Sequence, residues 1–229
     1  MSYLHAVLVH LRKDLQLEWR SREAVNGTLF FSLLVVVVFS LAFDPTANPT
    51  LARQISGGVL WVALLFASVT ALNQSWVREQ RNQVLDAQRL VPAQASALFL
   101  GKAIANLIFV GLVEAVLAPV FVVFYNIHPL GNVWLLALIL PLGTWALVVN
   151  GTFFAALGLR ARSRELLLPL LLLPISLPAL LAMVQATTGV MTADLDALQV
   201  ATWIRMLAGY DVIFTTVCIV LFETVLHAE

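Results

Sequence analysis

The sequence predicts an all-α integral membrane protein with six transmembrane helices, an N-terminal amphipathic interfacial helix and one further helix outside the bilayer between the second and third spans. Three observations carry that expectation. Of 229 residues, 61% are hydrophobic and 11% charged, where a soluble domain carries roughly a quarter charged residues. Six apolar runs are long enough for a hydrocarbon core about 30 Å thick, which takes roughly 20 residues of helix. The basic residues gather on alternate connections, the asymmetry that orients membrane proteins.

Residues 3 to 22 come first. Leu4, Leu8, Leu11 and Leu15 recur at helical spacing, with Arg12, Lys13, Asp14, Gln16 and Glu18 between them, which describes a helix lying along a membrane face. The small-x-small triplet Ser40, Leu41, Ala42 imitates a signal-peptide cleavage site, but it follows a span of full length, so an uncleaved anchor is expected. The spans are expected at about 25 to 43, 55 to 74, 98 to 125, 133 to 158, 166 to 186 and 207 to 226. Together with residues 3 to 22 they form a single transmembrane domain over residues 1 to 229. Eleven of the thirteen basic residues fall on the N-terminal arm, the second connection and the fourth, leaving Arg53 and Arg205 for the others. Both termini are therefore expected in the cytoplasm, as an even number of spans requires.

Between the second and third spans, residues 76 to 94 read WVREQRNQVLDAQRLVPAQ. Val77, Val84 and Val91 fall at sevens with Leu85 beside them, while Arg78, Glu79, Arg81, Asp86 and Arg89 cover the rest. This is a cytoplasmic helix with a narrow apolar stripe, ended by Pro92. It is either a solvated connector held inside by its charge or a docking helix that enters a groove on a partner.

The fifth run, LLLPLLLLPISLPALL over 166 to 181, carries Pro169, Pro174 and Pro178. Each removes a backbone donor at about 3 kcal/mol in an ordinary helix interior, and hydrocarbon supplies no water in its place. A kinked or unwound span facing protein is expected, as a fixed structural kink or as a hinge or cavity lining. Glu114, near the middle of the third run, is expected to be neutral or hydrogen-bonded in the bundle, with Asn106, Asn150 and Gln185 as its company. It is either a clasp between helices or a polar point on a substrate path. Residues 187 to 206, with Asp194, Asp196 and Trp203, are expected to lie in the outer interface.

Several functions are excluded. The formal net charge is zero, so nothing suggests a nucleic-acid partner. The stretch LGKA at 100 to 103 lacks the leading Gly and the closing Ser or Thr of a phosphate-binding loop. His5, His10, His128 and His227 show no metal-ligand spacing, and the single Cys218 excludes a Cys cluster. No nucleophile, base and orienting acid assemble, so a catalytic role is not expected. Energy for any driven process must come from another subunit.

The runs LPLLLLPISLP, GLRARSRELLLP, LGKAIANL and VEAVLAP, with Glu79, Leu85, Asp86, Pro92, Gly101, Lys102, Asn106, Glu114 and Pro119, resemble the CcmB family over essentially the whole chain. These are permease subunits of the bacterial haem exporter used in cytochrome c maturation. Gln83 departs from the family's usual Gly, which favours a continuous helix there. The resemblance implies a type-2 permease of the ATP-binding-cassette class in the bacterial inner membrane. It implies that residues 76 to 94 form a coupling helix, through which Arg78, Glu79, Val84, Leu85, Asp86 and Arg89 receive the motion of a separate CcmA-like ATPase subunit. The other implied partners are CcmC-like and CcmD-like membrane subunits, a CcmE-like haem chaperone and a second copy of the chain. Haem is implied as cargo of the complex; no His or Met pair that would ligate its iron in this chain is visible, and no resident cofactor is expected. The alternatives are a permease exporting a lipid, drug or other small molecule, and a membrane scaffold without energy coupling.

Overall fold

The computed structural model describes residues 3–20, 22–81, 95–126, 130–158 and 164–227. Within them the chain forms seven α-helices: α1 (Tyr3–Arg20), α2 (Arg22–Phe43), α3 (Pro49–Arg81), α4 (Ala95–Tyr125), α5 (Leu136–Gly158), α6 (Arg164–Thr192) and α7 (Ala197–His227). Six segments in α2 to α7 are long and apolar enough to cross a membrane, so this is a multi-pass membrane protein.

Helix α3 is the centre of the bundle and packs on α2, α4, α5 and α6. Its Trp61 is fully buried, donates its indole N–H to Thr187 Oγ1 on α6 at 2.9 Å, and lies on Gly143 of α5, where an added Cβ would come within 2.2 Å of the ring. Close packing of this kind, with small residues beneath large ones, supplies the dispersion energy that holds helices together in lipid.

The turns at one end of the bundle are short and built by local chemistry. Asp44, Asn126 and Ala193 follow α2, α4 and α6 in the left-handed region, at φ 39°, 46° and 56°. Asp and Asn tolerate that region, while Ala193 is strained by about 1 kcal/mol. Pro49 opens α3, where its missing N–H is harmless. The Gly131 N–H donates to Val190 O at 2.9 Å, so close that a Cβ there would stand 2.8 Å from that oxygen. Asn132 Oδ1 accepts from the Trp134 N–H at 3.1 Å and starts a 3-10 turn, Val133–Leu135, that feeds α5.

One expectation differs. Residues 187 to 206 are mostly helix and extend the fifth and sixth runs rather than separating them. Helix α6 runs on to Thr192 and α7 starts at Ala197, because Asp194 and Asp196, which break the apolar run, sit in a four-residue reversal. The Asp196 carbonyl caps α7, accepting from Gln199 and Val200 at 2.8 and 3.1 Å. Trp203 belongs to α7.

Helix α1 packs along α4 and touches α2 lightly. Leu4 and Leu8 of the expected apolar stripe are exposed, while Val7, Asp14 and Glu18 are buried. The crossing point is Gly101, whose Cβ would lie 2.7 Å from His10 Cβ and 2.9 Å from Val7 O. Gly101→Val should therefore push α1 off the bundle. The expected outcome is cleavage of α1 by added protease in detergent, with α2 to α7 intact; wild-type resistance would contradict the seat.

Candidate functional site at the root of the 76–94 connection

The last turns of α3 lead into residues 76 to 94, and their footing is Trp76. Its side chain is 1% exposed. The indole N–H donates to Thr152 O on α5 at 3.0 Å, and the ring lies 6.0 Å from that of Phe222 on α7, which packs in turn at a tilt against Phe99 of α4 at 5.0 Å. The Lys102 ammonium stands 4.7 Å from the Trp76 ring centroid, a contact that contributes about 2 kcal/mol when desolvated. One side chain thus ties α3 to α4, α5 and α7.

Lys102 joins α1 to the same point. It is 1% exposed, and its Nζ lies 3.4 Å from Asp14 Oδ2, while Lys13 Nζ holds the other oxygen at 3.1 Å. A buried ammonium is tolerated only with a carboxylate or equivalent partner. Beside this group the Asn106 amide donates to Thr152 Oγ1 at 3.0 Å. Gly101 and Lys102 therefore place α1 and root α3 at once, which explains LGKA without any nucleotide.

Of the residues expected to receive a partner's motion, Arg78 and Glu79 occupy the last turn of α3. Val84, Leu85, Asp86 and Arg89 lie outside the described residues. The three prolines stay within helix α6. Pro169 is half-buried and Pro174 and Pro178 are exposed, on a face that also carries Leu170, Leu173, Leu177 and Leu181. This chain alone does not cover that face, because α6 turns its buried stripe, Leu168, Leu172, Ala179, Ala182 and Met183, to its own neighbours. Pro178 takes the helical donor from Pro174 O. At the adjacent carbonyl, Ile175 O accepts from the Tyr210 hydroxyl of α7 at 2.9 Å.

Asn106, Asn150 and Glu114 do not meet. Asn106 and Glu114 are eight residues apart on α4, roughly 12 Å along the axis. Asn150 donates to Ala146 O at 2.9 Å and to the Tyr210 hydroxyl at 3.0 Å. The partner of Glu114 is Thr144 of α5, whose hydroxyl donates to Oε2 at 2.5 Å. Among the described residues no three His, Cys, Asp or Glu side chains gather as metal ligands would.

Sequence reasoning missed three residues. Trp76 and Asp14 carry no signal beyond their residue types. Asp211 had one: it is a carboxylate inside the sixth apolar run, and the structure buries it with no partner on either oxygen among the described residues.

The chain is 33% identical over 171 residues to "Heme exporter protein B" of Rhodobacter capsulatus, covering 75% of this chain and 77% of that one. It is 28% identical over 216 residues to the protein of the same name from Pseudomonas aeruginosa, covering 94% and 93%. An Escherichia coli protein so named is 30% identical over 101 residues, 44% of this chain and 45% of its own length. The sequence pattern described as "CcmB protein" matches residues 5–227, from α1 through α7, and the chain belongs to the CcmB protein family.

Proposed function

We propose that this chain is the membrane permease subunit of an ATP-driven haem-export and haem-chaperone-release complex in cytochrome c maturation, and that it transmits force rather than performing chemistry. The observation that carries this reading is the footing of Trp76. A stretch that receives motion must be rooted stiffly, and the root of residues 76 to 94 is locked to α4, α5 and α7 through one indole and to α1 through Lys102. Displacement at residues 78 to 89 then moves several spans together. A solvated connector needs no such root.

In this reading both termini and the connection at 76 to 94 face the cytoplasm, and α1 lies on that leaflet with Leu4 and Leu8 toward the acyl chains. A CcmA-like ATPase subunit takes Val84 and Leu85 into a groove, with Arg78, Glu79, Asp86 and Arg89 at its rim. CcmC-like and CcmD-like membrane subunits complete the assembly, and a CcmE-like chaperone takes the haem on the periplasmic side. The apolar face of Leu170, Pro174, Leu177 and Pro178 meets a second copy of the chain. Its prolines let α6 flex during the cycle.

Purification of the intact assembly in mild detergent tests the proposal. The expected complex holds equal copies of this chain and an ATPase, with haem-handling membrane subunits and bound haem pigment. A preparation with no nucleotide-binding subunit would leave a scaffold, and one with a different bound small molecule would make this an exporter of that molecule.

A further inference from the structure

A groove of about 300 Å³ opens between α4 and α5, lined by the small residues Gly111, Ala115 and Ala118 of α4 and Ala137 of α5 and by larger apolar side chains of both helices, with Glu114 and Thr144 between them. A Cβ added at Gly111 would meet nothing within 4 Å. The chain's own packing therefore makes no use of this surface. Small residues at i and i+4 are what lets a second helix backbone approach closely in lipid.

Glu114 adds a polar demand. It is 6% exposed, Oε2 is taken by the Thr144 hydroxyl, and Oε1 has no hydrogen-bond partner among the described residues. A carboxyl oxygen left open in hydrocarbon calls for a donor. Its depth says where that donor comes from. Glu114 is eleven residues before Tyr125, the end of α4, and Thr144 eleven after Val133, so the pair lies roughly 16 Å along the helices from that end. A lipid headgroup stays at the surface of a hydrocarbon core about 30 Å thick. A second copy of the chain complements the groove less well: a two-fold contact sets a patch against itself, facing one carboxyl with another, each already engaged by its own Thr144 hydroxyl, with no other polar group in the lining to complete the contact.

We propose that this groove receives one transmembrane helix of a non-identical membrane subunit, carrying a hydrogen-bond donor side chain that reaches Glu114 Oε1. The inference rests on the reading above only in treating the chain as part of a larger membrane complex. It places that contact in a groove apart from the proline face of α6 and from the ATPase-facing stretch.

The test is made in membranes that express the whole gene set. A photo-reactive benzoylphenylalanine at Ala137, on the groove rim, should form an adduct with a different membrane protein, mapped to a spanning segment that holds an Arg, Lys, His, Asn, Gln, Ser, Thr, Tyr or Trp. Gly111→Leu fills space that is empty in this chain. It should cut the adduct and co-purification of that subunit about tenfold, with the level of this chain and of any bound ATPase unchanged. Glu114→Gln, which keeps a side chain able to pair, should hold within about twofold where Glu114→Leu loses the partner. Adducts only with lipid, or only with another copy of the chain, would overturn the inference; so would an unchanged adduct in Gly111→Leu. The adduct is read in membranes without detergent, so a failure of the ATPase to co-purify strikes the functional proposal and not this one.

Discussion

Membranes containing a chain with Val84→Asp and Leu85→Asp are expected to hold it at the wild-type level while the purified complex loses its ATPase by at least tenfold and no mature cytochrome c accumulates. Those two residues are the widest part of the apolar stripe on residues 76 to 94. Carboxylates forced into an apolar groove without partners cost several kcal/mol, and about 1.4 kcal/mol already makes a tenfold change in binding. The fold should be indifferent, since the helices that root this stretch meet at Trp76, Lys102 and Phe222. A paired Val84→Leu control should bind normally. Undiminished ATPase stoichiometry and activity in the double mutant would remove the docking role from this stretch.

The second large effect is expected at Lys102 and Asp14, and it should be lopsided. Asp14→Asn takes the carboxylate from an ammonium that is 1% exposed. Breaking a buried pair costs 3 to 5 kcal/mol, and the lower figure, about 3 kcal/mol, applies because Lys102 also sits over the Trp76 ring. For a chain of this size that lowers the melting temperature by roughly 6 to 12 °C. Lys102→Met should cost less, since Asp14 keeps Lys13 at 3.1 Å on its more exposed side. The double replacement Asp14→Leu with Lys102→Met should recover part of the loss, as apolar isosteres of buried pairs do. Thermal unfolding in detergent reads all three. Equal losses from the two single changes would show that the pair does not hold α1 in the way described.

The six spans were legible because a spanning helix must be long and apolar, and both properties survive in a linear reading. Helix α1 was legible in the helical spacing of its leucines. What escaped depends on rotation of one helix against another. Asn106 and Asn150 look like natural company for Glu114, yet they turn to Thr152 and Tyr210, and Thr144 takes the carboxyl. Asp211 vanished in the apolar run around it, although a lone acid at that depth is itself a signal. The turn at Ala193 escaped because Ala does not announce a left-handed residue as Gly or Asn would. Three prolines were read as a kinked or unwound span facing protein, whereas α6 stays helical from Arg164 to Thr192 and, within this chain, leaves Pro174 and Pro178 exposed.

The convergence at Trp76 also governs how the protein can be handled. Asp14 in the first helix and Phe222 in the last both abut this lock, so an affinity tag or fluorescent protein fused to either helix hangs on an element held by that joint. The turn of Asp44 to Asn48 is at the far end of the bundle, with Thr46, Ala47 and Asn48 open to solvent. An epitope inserted there leaves the joint unburdened.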